Sequence, residues 1–221
     1  MLPLQLRSQG LSRVLGLGAH CDDIEIGCGG TLARLARDYE DLEISWVVMT
    51  STPEREAETR AAARSLLADV ASVSVTVHAF RDGFLPAAAA EVKEVFEALK
   101  SEPPPDLIFT PWSRDAHQDH RLVSELTWNT FRDHTIFEYE IPKYDGDLGR
   151  PNLFIPLDEE VCSRKLNTLL SCFPSQLGRI WFDEETFRSI MRLRGVECNA
   201  PERYAEAFHV RKMLLGEPIE G

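Results

Sequence analysis

Two short stretches of this chain set imidazole and carboxylate side by side: His20-Cys21-Asp22-Asp23 and His117-Gln118-Asp119-His120. A histidine beside an aspartate is commonplace on its own. Both stretches, however, follow short apolar runs, at residues 14–18 and 107–110, that read as buried strands. Open parallel sheets bind ligands beyond the carboxyl ends of their strands, so the two clusters are expected at one rim. Ionisable side chains gathered there are costly to bury unpaired, and a divalent cation supplies the missing positive charge. Imidazole and carboxylate donors without thiolates suit Zn2+, with iron, cobalt or nickel as lesser choices.

Two other chemistries use related patterns. The Gly16-Leu17-Gly18 turn after a strand resembles the start of a dinucleotide fingerprint, but Cys21 stands where the third glycine belongs, and His20 and the aspartates would press on a pyrophosphate. His117 to His120 also matches half of the H-x-H-x-D-H pattern of two-metal hydrolases. Asp115 occupies the place of its leading histidine, so that site lacks a ligand.

The elements that must carry these clusters alternate along the chain. Residues 13–18 read as a strand. Gly27, Gly29 and Gly30 read as a loop feeding a helix over 31–39. A strand follows at 42–49, a helix with an N-terminal proline at 53–68, a strand at 73–80 and a helix at 87–100 stopped by three prolines. Residues 106–110 make a further strand, followed by a loop to about residue 119 that holds the second cluster, and then a helix over 121–132. Strand-like runs at 135–141 and 152–156 precede two helices opened by Asp158-Glu159-Glu160 and Asp183-Glu184-Glu185, whose acids complement the helix dipole. Such alternation predicts an α/β fold with a mainly parallel, doubly wound sheet.

Neither a linker nor a repeat divides the 221 residues, which are expected to form one domain, 1–221. The net charge of −12, with scattered basic residues, argues against a nucleic-acid partner. The five cysteines include no C-x-x-C pair and suit reduced thiols in a cytoplasmic protein. No run has the length and apolar character of a signal peptide or a membrane span.

The motifs His20-Cys21-Asp22-Asp23 and His117-Gln118-Asp119-His120 resemble the H-P-D-D and H-x-D-H motifs of the PIG-L/LmbE family of zinc-dependent N-deacetylases. The likeness extends to Arg55-Glu56-Ala57-Glu58 and to Ala205-Glu206-Ala207-Phe208, and is least constrained over 133–180. It implies a Rossmann-like three-layer fold, and a metal held by His20, Asp23 and His120. Asp22 corresponds to the general base. His117, as an imidazolium, corresponds to the group that stabilises the oxyanion and protonates the leaving amine, with Asp119 orienting its ring. Arg55 and Asp82 fall near positions that contact sugar hydroxyls, and Arg114 and Asp115 flank the second motif within reach of a ligand. Cys21 and Gln118 replace prolines usual in the two motifs; a small buried thiol is expected at Cys21. Glu206 reads equally as a cleft residue or as part of a terminal strand. The implied activity is hydrolysis of an N-acetyl group on an amino sugar or a sugar-containing metabolite. A larger sugar or thiol conjugate, or a non-catalytic binding module, is the alternative. The partner is a small N-acetylated molecule, and homo-oligomers occur in the family.

Overall fold

A computed structural model describes residues 11–214 apart from 69 and 71. Residues 1–10, on which much of the reading against a signal peptide rests, lie outside the described residues. The apolar run after Ser12 becomes strand β1 (Arg13–Gly18), buried along all but its first residue, and β4 (Leu107–Pro111) is buried throughout. The two lie parallel, with Val14 opposite Leu107 and Gly16 opposite Phe109. β2 (Glu43–Thr50) and β3 (Ser72–Phe80) extend the sheet beyond β1, and β5 (Thr135–Tyr139) extends it beyond β4, all in parallel. β7 (Tyr204–His209) then runs antiparallel to both β5 and β6 (Leu153–Leu157). The order is β3-β2-β1-β4-β5-β7-β6. The chain winds outward from β1 and returns to β4, so the winding reverses between the two strands that precede the motifs. A crevice opens at such a reversal.

Alternate residues of the central strands face opposite sides of the sheet, as strand geometry requires. Val14, Leu107 and Phe109 join one apolar cluster, which includes Ile24, Leu66 and Leu169. Leu15, Leu17 and Ile108 join the other, with Phe96 and Val123. Helices α1 (Asp23–Asp38), α2 (Pro53–Leu66), α5 (Glu159–Cys172) and α6 (Glu184–Cys198) cover the first face. Helices α3 (Ala89–Lys100) and α4 (Gln118–Thr130) cover the second. This is the Rossmann-like three-layer α/β fold with a mainly parallel sheet. Among the described residues, no helix is long and apolar enough to cross a membrane.

Two local expectations need correction. Gly27, Gly29 and Gly30 lie inside α1, not in a loop ahead of it. A Cβ at Gly27 would sit 2.1 Å from the Tyr139 ring, and one at Gly30 would sit 2.6 Å from Leu157, so the glycines let the helix approach β5 and β6 closely. The second motif is likewise not a loop: His117 caps α4, and Gln118, Asp119 and His120 form its first turn. The acidic helix starts behave as caps, with Asp158 accepting from Val161 N and Asp183 from Thr186 N. Glu206 is a buried β7 residue that accepts from Gly30 N, Thr31 N and Lys165 Nζ, bracing α1 instead of facing the cleft.

Candidate metal centre

The turn between β1 and α1 aims the first carboxylate. Asp23 Oδ2 accepts from the backbone N–H groups of Ala19 and His20, both at 2.8 Å. Asp23 Oδ1 lies 3.3 Å from His120 Nε2, which the first turn of α4 presents. His20 Nδ1 is 3.0 Å from that same nitrogen and 3.6 Å from Asp23 Oδ2. The corners of a tetrahedron drawn with zinc–ligand bonds of roughly 2.0–2.1 Å stand about 3.3 Å apart. His20, Asp23 and His120 therefore fit a small divalent cation. A nitrogen of His117 also lies within 4.8 Å of those of His20 and His120.

The local field favours positive charge. Burial would lower the pKa of His120, but the charge of Asp23 and contacts with Asp115 and Asp23 outweigh it and push it to about 9. Burial is likewise outweighed at His20, where Asp23, Asp119 and Asp82 hold the imidazole well above its usual value. Asp23 is driven the opposite way: burial would raise it, yet His120 and His20 keep it well below the carboxylate range. A divalent cation would satisfy the same field on displacing these protons.

Asp115 differs from its expected role beside the substrate. It is 2 % exposed, and its Oδ2 lies 2.9 Å from His120 Nδ1, while Oδ1 accepts from His117 N at 2.7 Å. A carboxylate at Nδ1 keeps the hydrogen on that nitrogen and leaves Nε2 free to ligate, the usual support for a metal-binding histidine. Lys143 Nζ sits 2.9 Å from the same Asp115 oxygen and also bonds Asp147. Cys21 contributes no thiolate: burial pushes its pKa to about 11, and its Sγ donates to Thr50 O.

Asp22 stands just ahead of α1, without a capping side-chain hydrogen bond, at the edge of a cleft of about 700 Å3, and its Oδ1 is 2.9 Å from Arg55 Nη2. Arg55, from the first turn of α2, is itself held by Ser175 and Glu58. His117 lines the cleft as well. Its Nδ1 accepts from Asp119 N at 3.2 Å, an arrangement that suits a ring with its hydrogen on Nε2, where it is a donor. Burial, followed by the charges of His20 and His120, lowers its pKa accordingly. The Asp119 carboxylate does not orient that ring. It accepts from Gly83 N at 2.7 Å and Leu85 N at 3.1 Å, tying α4 to the loop after β3, and lies 3.5 Å from His20 Nε2.

Of the side chains expected to meet a substrate, Arg55 and Asp82 line the cleft, and Asp82 Oδ1 is 3.0 Å from His20 Nε2. Arg114 is exposed and lies outside the lining. Arg81, Lys143, Tyr144, Arg179 and Trp181 line the cleft without having been singled out in the sequence. Only Arg81 had a usable signal, its place next to Asp82 at the end of a predicted strand.

A family model described as "PIG-L: GlcNAc-PI de-N-acetylase" matches residues 15–131. The chain is 32% identical over 173 residues to the "Uncharacterized deacetylase YaiS" of Escherichia coli strain K12, covering 71% of this chain and 88% of that protein. Among solved structures, N,N'-diacetylchitobiose deacetylase from Pyrococcus horikoshii aligns with a TM-score of 0.65 at 22% identity, over 90% of this chain and 83% of that one. GalB, the 4-carboxy-2-hydroxymuconate hydratase from Pseudomonas putida KT2440, aligns with a TM-score of 0.72 at 16% identity, over 95% and 100%. At these identities the two structures establish a shared fold and leave the reaction to other arguments.

Proposed function

Because this chain belongs to the PIG-L family, we propose that it is a metal-dependent de-N-acetylase that releases acetate from an amino sugar or a sugar-containing metabolite. The observation that carries the reading is the convergence of His20 Nδ1, Asp23 and His120 Nε2 to within 3.0–3.6 Å beside the Asp22 carboxylate. One sheet carries both motifs and the antiparallel edge, which supports residues 1–221 as one deacetylase domain.

His20, Asp23 and His120 would hold the cation, with Zn2+ favoured by their donor types. Bound there, the cation would polarise the acetyl carbonyl and make water more acidic. Asp22 takes the proton of the attacking water, and Arg55, 2.9 Å away, holds that carboxylate in place. His117 offers its Nε2–H to the carbonyl oxygen as negative charge develops there; a donor of this kind contributes about 10²–10³ in rate. The proton collected by Asp22 then leaves with the amine, so the carboxylate is restored. Asp115 holds the His120 ring in place throughout, and Asp82 is positioned for sugar hydroxyls.

The test combines metal analysis with acetate release on the intact chain, Asp22→Asn and His120→Ala, using simple N-acetylated sugars and bulkier conjugates. The expected pattern is stoichiometric metal in the first two, acetate release from the first alone, and loss of metal in the third. A folded intact chain that takes up no divalent metal would rule the reading out.

A further inference from the structure

Lys143 lines the cleft beside Ile141 and Tyr144, a place where a cation is ordinarily a substrate contact. Its own bonding leaves it little to offer a substrate. An ammonium group has three donors and no acceptor. Asp115 Oδ2 lies 2.9 Å from Lys143 Nζ, Asp147 Oδ1 and Oδ2 lie at 2.8 and 2.7 Å, and Ile141 O stands farther off at 3.5 Å. Two carboxylates thus occupy all three hydrogens. The side chain is only 10 % exposed, so the group is held among these partners and not in bulk water.

The local chain path produces this arrangement. A turn at 144–145, followed by Gly146 at a φ of 63°, folds Asp147 back onto Lys143. Asp147 Oδ2 also accepts from Ala116 N at 2.6 Å. The segment 143–147 therefore grips residues 115 and 116, the stretch that leads into α4, at two points. Asp115 completes the route: the oxygen that accepts from Lys143 also lies 2.9 Å from His120 Nδ1, and its other oxygen accepts from His117 N. From Asp147 through Lys143 and Asp115 to His120, no gap exceeds 2.9 Å.

Charge gives the route its purpose. Asp115 is buried, and a buried carboxylate needs a compensating cation. An imidazole that ligates a metal is neutral, so His120 cannot be that cation in the loaded site. Lys143 supplies the positive charge. We infer that Lys143 is a positioning residue for the metal centre: held by Asp147, it compensates and fixes the carboxylate that aims His120. The segment from β5 to β6, which carries Tyr144 and Asp145 into the cleft wall, is thereby tied to a proposed ligand. The inference rests on the metal-dependent reading of the site.

The test measures Zn2+ affinity by chelator competition for the full chain, Lys143→Gln, Asp115→Asn and the double variant, with the Tm of each metal-free protein as a check on folding. Lys143→Gln should bind the cation about tenfold more weakly, the lower end of the loss when the support of a ligating histidine is removed. In the Asp115→Asn background the same substitution should change affinity by less than about twofold, because the lysine acts through that carboxylate. A substitution that merely loosened the loop would cost the same in both backgrounds, and that result overturns the inference, as does unchanged affinity in Lys143→Gln. Lys143→Met, which keeps a long unbranched stem, repeats the measurement with the same expectation should Lys143→Gln fail to fold. A parent chain that takes up no Zn2+ is a separate failure: it removes the metal-dependent reading, and the role of Lys143 with it.

Discussion

One oxygen of Asp115 lies 2.9 Å from both His120 Nδ1 and Lys143 Nζ, so a single buried carboxylate ties a proposed metal ligand to a cation of the cleft lining. Removing it in Asp115→Ala should weaken divalent-metal affinity about 10–100-fold, the usual loss when such a support is deleted. Competition with a chromophoric chelator measures this, and unchanged affinity would show that His120 is oriented by other means. Asp22→Asn should keep the metal and lower kcat by about 10²–10⁴, the range for loss of a general base. Ligand types were readable at this scale because His20, Asp23 and His120 are chemically distinctive and follow apolar runs. Orientation was not. Asp115 and Arg114 are neighbours in sequence, yet one is buried against a histidine and the other exposed, because a side chain's direction depends on the path of the backbone.

At the level of elements, α1 is fitted to the sheet through positions that tolerate no side chain. Gly27→Ala would drive a methyl into the Tyr139 ring, whose hydroxyl donates to Leu17 O, and should cost at least about 1–3 kcal/mol, as overpacking does. Urea denaturation reads the loss directly; a variant as stable as the parent would mean that the helix can shift. β1 and β4 are joined at their starts by Asp106, whose Oδ2 accepts from Ser12 N, Arg13 N and Ser12 Oγ. Burial would raise its pKa, but the Ser12 and Arg13 N–H groups prevail and lower it. Its stabilising contribution is therefore present above the unfolded aspartate pKa, near 3.9, and is lost only as pH falls through the lower folded value. Asp106→Ala should cost on the order of 1 kcal/mol from pH 8 to about pH 5, with no trend across that range. A cost that fades between pH 7 and 5 would refute this account. Central strands were legible because continuous apolar runs mark strands covered on both faces. The start of α1 was not, since glycines that serve close packing look, in sequence, like glycines that serve a turn.

Across the whole molecule, the candidate site exists only where β1 and β4 lie together, and its donors His20 and His120 are 100 residues apart. A bound cation stabilises the folded chain by mass action, by about 2.7 kcal/mol at a hundredfold excess over Kd. For a protein of this size, saturating metal should raise Tm by roughly 5–10 °C over the chelated form, and His120→Ala should abolish the difference. Calorimetry with and without chelator checks it, and an identical Tm in both would argue against this assembly. The parallel alternation of strands and helices was legible over 13–130, where spacing and breakers agree. The antiparallel edge was not, because β7 enters between β5 and β6 from the far end of the chain. Half of the cleft wall missed in the sequence comes from segments after β5.

The pairing of β1 with β4 also sets an order of events on the ribosome. A chain emerging from its N-terminus can assemble β1, β2 and β3 while His20 and Asp23 have no partner, since the imidazole that completes the cluster lies on α4. Metal capture at the proposed site would therefore be a late step in biogenesis. Until α4 has been made and docked, the nascent protein would carry two of the three proposed ligands, His20 and Asp23, without the imidazole of His120.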